Sequence, residues 1–318
     1  MKYKKHILGL LNKSYFYRVL AYRFQKWSVE RNPLNEIHRY YIPVFGKKPN
    51  LENPTNLVEK IYWMQLHSDL SLWTLYADKY RMRDYIKSCG YEANLPKLHA
   101  VWFNIDEFTE KEWSKLPNQF VLKANNGCGT VMVIQDKCKH NFKKIKKILT
   151  QWLSIPYGYR GYQPHYLGIK PCFFAEELLT QNKILQQLSP KSMIDFKVWT
   201  FNGKPECILV TYDRSNGSYN RDLYDLKWNR MCSELRLQNN IGNEEKSVIP
   251  CPPCLDEMLQ IASKVSMGQP QMRVDFYVVN DKPIIGELTM AAGFGSFTTE
   301  YYDYLGSLTD LSLVSRIR

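Results

Sequence analysis

Two short apolar runs, Phe120-Val121-Leu122-Lys123 and Thr130-Val131-Met132-Val133-Ile134, flank the polar stretch Ala124-Asn125-Asn126-Gly127-Cys128-Gly129. Apolar and β-branched runs interrupted by Gly and Asn predict a β-hairpin with a glycine loop. A second hairpin is expected from 195–201 and 206–212 across Asn202-Gly203, a dipeptide suited to a tight turn. A third is expected from 272–279 and 283–288 across Asn280-Asp281. Further strands are predicted at 98–102 and at 172–179, the latter ending in a linker. Helical periodicity marks 57–67, 73–88 (closed by Gly90), 142–153 and 255–267. At the N-terminus Ile7, Leu11, Tyr15, Val19 and Tyr22 share a helical spacing, with Leu8, Phe16 and Trp27 broadening the apolar face. Residues 50–56 read as turns, and 214–253, rich in Asn, Arg and Ser, read as a long irregular region of the kind that forms lids.

Composition narrows this picture only slightly. A chain of 318 residues, 44% hydrophobic and 23% charged, is an ordinary globular protein with room for two or three subdomains. Its 43 Lys+Arg against 31 Asp+Glu leave a formal charge of +12, which favours polyanions without choosing among nucleotides, acidic glycans, nucleic acid or anionic lipid. Apolar runs are too short for a spanning helix, and Lys13, Arg18 and Arg23 break any signal-peptide core. The eight cysteines are scattered, and Cys251-Pro-Pro-Cys254 lacks a second pair to complete a metal site, so a reducing, cytoplasmic setting is expected. Residues 1–31 carry eight Lys and Arg against the single acid Glu30. Such a helix either lies in an anionic membrane interface at the inner face of the cell membrane, or packs on its own domain with a solvated basic back.

Candidate chemistry lies at two places. Lys123 ends a strand before a glycine-bearing loop, an arrangement that suits phosphate, although no Walker motif is present. Alternation puts Arg273 and Asp275 on one face of their strand and Glu287 and Thr289 on one face of theirs. If the two faces coincide, the carboxylates call for a cation, and Mg²⁺ bridging nucleotide phosphates is one such cation. The alternative is a plain salt bridge from Arg273 to Asp275 or Glu287 on a solvated face. Arg160, Arg214 and Arg221 read either as solvated loop residues or as holders of an acidic acceptor.

These signals, in this order, resemble the ATP-grasp superfamily, in its branch similar to the teichuronopeptide biosynthesis protein TupA. The resemblance is carried by Asn50-Leu51-Glu52-Asn53-Pro54-Thr55-Asn56-Leu57-Val58-Glu59-Lys60, by Ala77-Asp78-Lys79-Tyr80-Arg81-Met82-Arg83, and by 120–136, 175–179, 195–203 and 272–295. It covers roughly 45–310. It implies an α+β, ATP-grasp fold in which two α+β subdomains grip ATP, preceded by a basic helical region. The corresponding divisions are 1–48 (basic amphipathic region), 49–115 (N-terminal subdomain), 116–178 (small lid subdomain) and 179–318 (C-terminal subdomain with the metal site). By the same resemblance Lys79 and Lys123 are nucleotide-binding lysines, and Asn126, Gly127 and Gly129 belong to the loop that closes over the phosphates. Glu176, Glu177, Leu178 and Leu179 resemble the hinge that grips adenine. Asp275 and Glu287 look like the Mg²⁺ carboxylates and Arg273 like the arginine that steadies the acyl phosphate, with Lys197 on the strand facing the nucleotide. Thr289 stands where the superfamily generally has Asn, which implies weakened metal binding.

The activity this implies is an ATP- and Mg²⁺-dependent carboxylate–amine ligase acting through an acyl phosphate. Its substrates would be an acidic sugar or amino acid and an amine nucleophile, in cell-surface polysaccharide assembly. Two alternatives stand beside it: a glycosyltransferase of the same assembly, for which an Asp-x-Asp metal motif is absent, and a catalytically degenerate basic surface-binding protein. No nucleic-acid partner is expected, because the aromatic residues are not interleaved with Lys and Arg in one stripe.

Overall fold

The computed structural model describes residues 15–215, 218–236, 248–292 and 294–315. Helices α1 (Tyr15–Arg31), α2 (Pro33–Phe45), α3 (Leu57–His67), α4 (Ser71–Ala77) and α5 (Met82–Ser88) precede strand β1 (Leu98–Trp102). Then come α6 (Glu110–Lys115), β2 (Phe120–Ala124), β3 (Val131–Ile134), α7 (Phe142–Ser154), β4 (Phe173–Glu176) and α8 (Lys183–Leu188). The C-terminal part runs β5 (Asp195–Phe201), β6 (Lys204–Ser215), β7 (Ser218–Tyr224), α9 (Leu255–Val265), β8 (Met272–Val279), β9 (Lys282–Thr289) and α10 (Thr299–Ser307). By its internal contacts the chain divides into two units, one of Met1–Pro49 with Leu98–Leu178 and the other of Asn50–Lys97 with Leu179–Arg318. The stretch 49–115, expected as one N-terminal subdomain, is thus shared between them at Leu98, because β1 pairs with β4.

In the first unit an antiparallel sheet runs β1-β4-β2-β3. Alternation sends Phe120, Leu122 and Ala124 to one face, where they join Trp102, Phe108, Phe173 and the α7 residues Ile145 and Leu149 in a core. Each large side chain so buried contributes about 1.5–3 kcal/mol, and the same alternation turns Lys123 to the opposite face. Helix α1 lies on its own unit: Tyr15 Oη is 3.0 Å from Ser154 Oγ, Arg18 Nη2 donates to Gln151 at 2.9 Å, and Tyr22 meets Tyr159 edge-on. The described part of this helix thus packs on its own unit, and its outward side is aromatic as well as basic: Phe16, Leu20, Phe24 and Trp27 remain exposed. Residues 1–14, with Ile7, Leu8, Leu11 and most of the N-terminal lysines, lie outside the described residues.

In the second unit a five-stranded antiparallel sheet runs β7-β6-β5-β8-β9, with α9 packed on it. Both predicted two-residue turns are present, with φ of 47° and 76° at Asn202 and Gly203 and of 50° and 60° at Asn280 and Asp281. Positive φ at both central residues matches the twist of the flanking strands.

Two expectations need correction. The single helix expected at 73–88 is two, α4 and α5, because the Asp78 carboxylate accepts from the Tyr80 and Arg81 amides and holds the chain out of the helix. The region 214–253 is not wholly irregular: β7 lies in it and pairs with β6, and Arg230 folds back onto the buried Asp222. Residues 216–217 and 237–247 of that region lie outside the described residues.

Candidate active site

The register of the second sheet decides whether the two predicted faces coincide. Lys197 stands opposite Asp275, and Asp275 opposite Glu287. One row further along, Arg273 stands opposite Thr289. Directly opposed residues share a face, so Lys197, Arg273, Asp275, Glu287 and Thr289 stand together, with Asp195 beside Lys197 on β5. A bulge makes this possible in β9: Asp275 pairs with Glu287 but Phe276 with Ile285, leaving Gly286 as the extra residue. The Tyr277 ring lies so close to Gly286 that a Cβ there would sit 2.9 Å from its Cε2.

The side chains on this face are tightly paired. Arg273 donates to Asp275 through Nε at 2.6 Å and Nη2 at 2.7 Å, and to Thr289 Oγ1 at 3.1 Å. Lys197 Nζ bridges Asp275 at 2.6 Å and Asp195 at 2.8 Å. Lys79, placed by the break between α4 and α5, reaches Glu287 at 3.2 Å. The Arg273–Asp275 salt bridge of the alternative reading is present, but its face is not solvated, since Lys79, Lys197, Asp275 and Thr289 are all buried. Burial pushes the Asp275 carboxyl up, but Arg273 and Lys197 outweigh it and hold it below the usual carboxylate value. Burial likewise pulls Arg273 down, and the Asp275 charge more than reverses this. Tyr277 is raised well above a free phenol, first by Asp195 and then by burial, so it stays protonated.

In the first unit Lys123 pairs with Glu176, which its strand neighbour Val121 faces across β2 and β4. The glycine loop is rooted by Asn125, whose side chain donates to Lys170 O at 3.0 Å and accepts from the Cys172 amide at 2.7 Å. Gly129 takes φ of 75°, open to Gly and strained for other residues. Asn126 is buried, and its Oδ1 has no hydrogen-bond partner among the described residues. Glu177 is exposed, and the border between the two units falls between Leu178 and Leu179.

Taken unit by unit, the side chains have the chemistry that phosphate or Mg²⁺ would need. In the first unit Asn126 Oδ1, buried beside a glycine loop and a lysine without a hydrogen-bond partner among the described residues, is a polar group that a ligand donor would satisfy. Among the described residues no group of three or more His, Cys, Asp or Glu side chains gathers for a metal. Mg²⁺ does not demand one, because it usually takes one or two carboxylates and completes its shell with phosphate and water. Glu287, its side chain 29% exposed, is the more accessible carboxylate of the pair.

Asp195 went unremarked in the sequence, although Asp-x-Lys at 195–197 signals a shared strand face. Arg221, within the region read as irregular, also stands on a strand of this sheet.

The sequence matches the family model described as TupA-like ATPgrasp over residues 59–309, well over half of the chain. The chain belongs to the TupA-like ATP-grasp family. No curated protein matches it. Among solved structures it is similar to a D-alanine–D-alanine ligase from Bacillus anthracis complexed with ATP, at 13% identity and a TM-score of 0.41, covering 76% of this chain and 66% of that one. It is also similar to the D-alanine–D-alanine ligase from Helicobacter pylori, at 9% identity and 0.41, covering 80% and 68%. The ATP-grasp ligase PsnB, complexed with a phosphomimetic precursor variant, Mg and ADP, matches at 12% identity and 0.37, covering 73% and 58%. This chain therefore spans about two thirds of the length of the first two and less of the third.

Proposed function

We propose that the protein is an ATP- and Mg²⁺-dependent ligase that activates a carboxylate as an acyl phosphate and joins it to an amine, in the assembly of a cell-surface polysaccharide. The observation that carries this reading is the buried face on which Lys197, Arg273, Asp275, Glu287 and Thr289 share two adjacent rows. A carboxylate is a poor electrophile until its oxygen is phosphorylated. Its oxygen attacks the γ-phosphorus and ADP leaves; the amine then attacks the carbonyl carbon, loses a proton, and expels phosphate. Charge spreads over the transferring phosphoryl group, so preorganised cations supply most of the rate.

In this reading Asp275, Glu287 and Thr289 would hold Mg²⁺, which when bound would neutralise phosphate charge. Arg273, fixed by two hydrogen bonds to Asp275, faces the acyl-phosphate oxygens, and Lys79 and Lys197 neutralise the nucleotide. Lys123, with Asn126, Gly127 and Gly129, cradles phosphate, and Glu176, Glu177, Leu178 and Leu179 take the adenine. A uronic acid or an amino acid is the proposed acid substrate, on the strength of the family. No described helix is long and apolar enough to cross a membrane. The exposed aromatic stripe of α1 supports working at an anionic membrane surface instead.

The test is ADP release with ATP, Mg²⁺ and a panel of uronic acids and amino acids, against a Glu287→Gln control. Acid-dependent ADP formation that falls at least a hundredfold in the control is expected, of the order seen when transition-state charge loses a partner. Absence of ATP binding by calorimetry would overturn the assignment.

A further inference from the structure

The face that carries Asp275 continues beyond β5. Thr211 of β6 pairs with Asp195 on one side and with Arg221 of β7 on the other. Arg221 therefore stands on the same side of the sheet as the proposed catalytic face. The other cations there each have a carboxylate: Lys197 and Arg273 hold Asp275, Lys79 holds Glu287, and Arg214 Nη2 lies 3.6 Å from Asp195. Arg221 forms no ion pair among the described residues. Its Nη2 donates to the Tyr219 hydroxyl at 2.9 Å, and its Cζ lies 4.5 Å from the centre of that ring, which Arg214 also approaches at 5.9 Å. Its Nε is buried without a hydrogen-bond partner. Burial pulls its pKa down, Tyr219 and Tyr302 oppose this in part, and the smaller like charges of Arg214 and Arg273 add to the lowering. A guanidinium that is desolvated, set against like charges and short of an acceptor is costly to keep. A bound anion supplies the missing acceptor and offsets both the lost hydration and the like charges.

We propose that Arg221, with Arg214 and the Tyr219 hydroxyl, binds an anionic group of the acid substrate, a carboxylate separate from the phosphates handled at Asp275 and Glu287. This rests on the ligase reading of the same face. Their strands stand apart: backbone to backbone, β7 is three strands from β8 and four from β9, or about 14 and 19 Å at ordinary strand spacing, although the long Arg221 and Arg273 side chains lean close enough to feel each other's charge. The planar guanidinium fork suits a carboxylate, and the aromatic ring shared with Arg214 keeps both arginines oriented without neutralising them. The substrate so defined carries a charge in addition to the carboxyl group that reacts.

The test is calorimetric titration of wild type, Arg221→Gln, Arg221→Lys and Arg214→Gln with D-glucuronate, D-galacturonate, citrate and inorganic phosphate. Each titration is run with and without a saturating non-hydrolysable ATP analogue and Mg²⁺, and near-UV circular dichroism checks folding. At least one carboxylate probe binds wild type better than phosphate does, and Arg221→Gln weakens it about tenfold or more, the loss of one charged hydrogen bond. Arg221→Lys falls between the two, and the more exposed Arg214→Gln loses several-fold even if Arg221→Gln fails to fold. Nucleotide affinity stays within about twofold in every folded variant, since the site is separate from the phosphates. The proposal is overturned if no carboxylate binds wild type, if the variants bind as wild type does, if phosphate binds best, or if nucleotide affinity falls alongside. Carboxylate binding that needs Arg221 in a protein that binds no nucleotide would sink the ligase reading and leave the anion site standing.

Discussion

Asp275 is only 4% exposed yet accepts hydrogen bonds from both Arg273 and Lys197, so removing its charge strands two cations on a buried face. Asp275→Asn should cost about 3 kcal/mol of unfolding free energy in urea titration, as breaking a buried pair does from one side. Its pH dependence has a definite sign. The native carboxyl is held below the ordinary 3.8, so its contribution is present above that value and is lost as the pH falls through the lower native one. The Asn variant should therefore show a shallower fall of stability than wild type as the pH drops below the ordinary carboxylate range. Gly286→Ala tests the bulge: a Cβ 2.9 Å from Tyr277 Cε2 forces that ring to move. About 1–3 kcal/mol should be lost, and weakened Mg²⁺ binding should follow as Glu287 shifts. Alternation alone was enough to place Arg273, Asp275, Glu287 and Thr289 as pairs, because a strand has only two faces. Whether the two faces coincided depended on the bulge at Gly286, which a single glycine does not announce. Arg221 was hidden for a different reason, because Asn, Arg and Ser around it mask a strand that exists through its pairing with β6.

At the scale of elements, local chemistry was legible and tertiary chemistry was not. The hairpins at Asn202-Gly203 and Asn280-Asp281 follow from residues that tolerate positive φ. The start of α3 is equally local: Asn56 and Glu59 form a reciprocal capping box. Asn56→Ala should lower stability by about 1 kcal/mol, read by urea titration. The split of 73–88 into α4 and α5 is not legible in the sequence because apolar periodicity runs through it, while one Asp78 carboxylate ends the first helix and presents Lys79. The docking of α10 on α3 was not visible either, although it sets a sharp limit. Gly306 lies against the chain before α3, where an added Cβ would be 2.2 Å from Thr55 O and 2.6 Å from Asn56 Cα. Lys60 locks the same junction by donating to the Gly306 and Thr309 carbonyls, each at 2.8 Å. Backbone cannot retreat as a flexible side chain does, so Gly306→Ala should cost about 3 kcal/mol or more. Lys60→Met should cost less, because it removes hydrogen bonds and leaves the packing intact. Thermal unfolding of the two variants would give that order, and the reverse order would show that the junction is held by charge instead of close approach.

Across the whole molecule, the +12 charge and the apolar surface of α1 combine into one expectation. The apolar face expected from the sequence, Tyr15, Val19 and Tyr22 broadened by Phe16 and Trp27, is wider than the side that packs, so Phe16 and Trp27 turn outward. Val19 and Tyr22 are half-buried, whereas Phe16, Leu20, Phe24 and Trp27 are 71%, 48%, 62% and 57% exposed. Those four fall on one face at spacings of four, four and three, with Arg23 and Arg31 exposed beside them and Arg31 over the Trp27 ring at 5.7 Å. Such a face suits the boundary between headgroups and acyl chains, where aromatic rings enter the interface and arginines meet anionic headgroups. The protein should co-sediment with vesicles containing phosphatidylglycerol and be released progressively by salt, since each Lys or Arg near such a surface contributes about 1 kcal/mol that screening removes. Phe24→Asp with Trp27→Asp should abolish sedimentation while leaving ATP binding intact, because neither residue belongs to the sites of the proposed ligase. Equal binding to neutral phosphatidylcholine vesicles would mean that the apolar stripe acts without charge. No binding to either would return α1 to a purely structural role, with its aromatic face left to solvent.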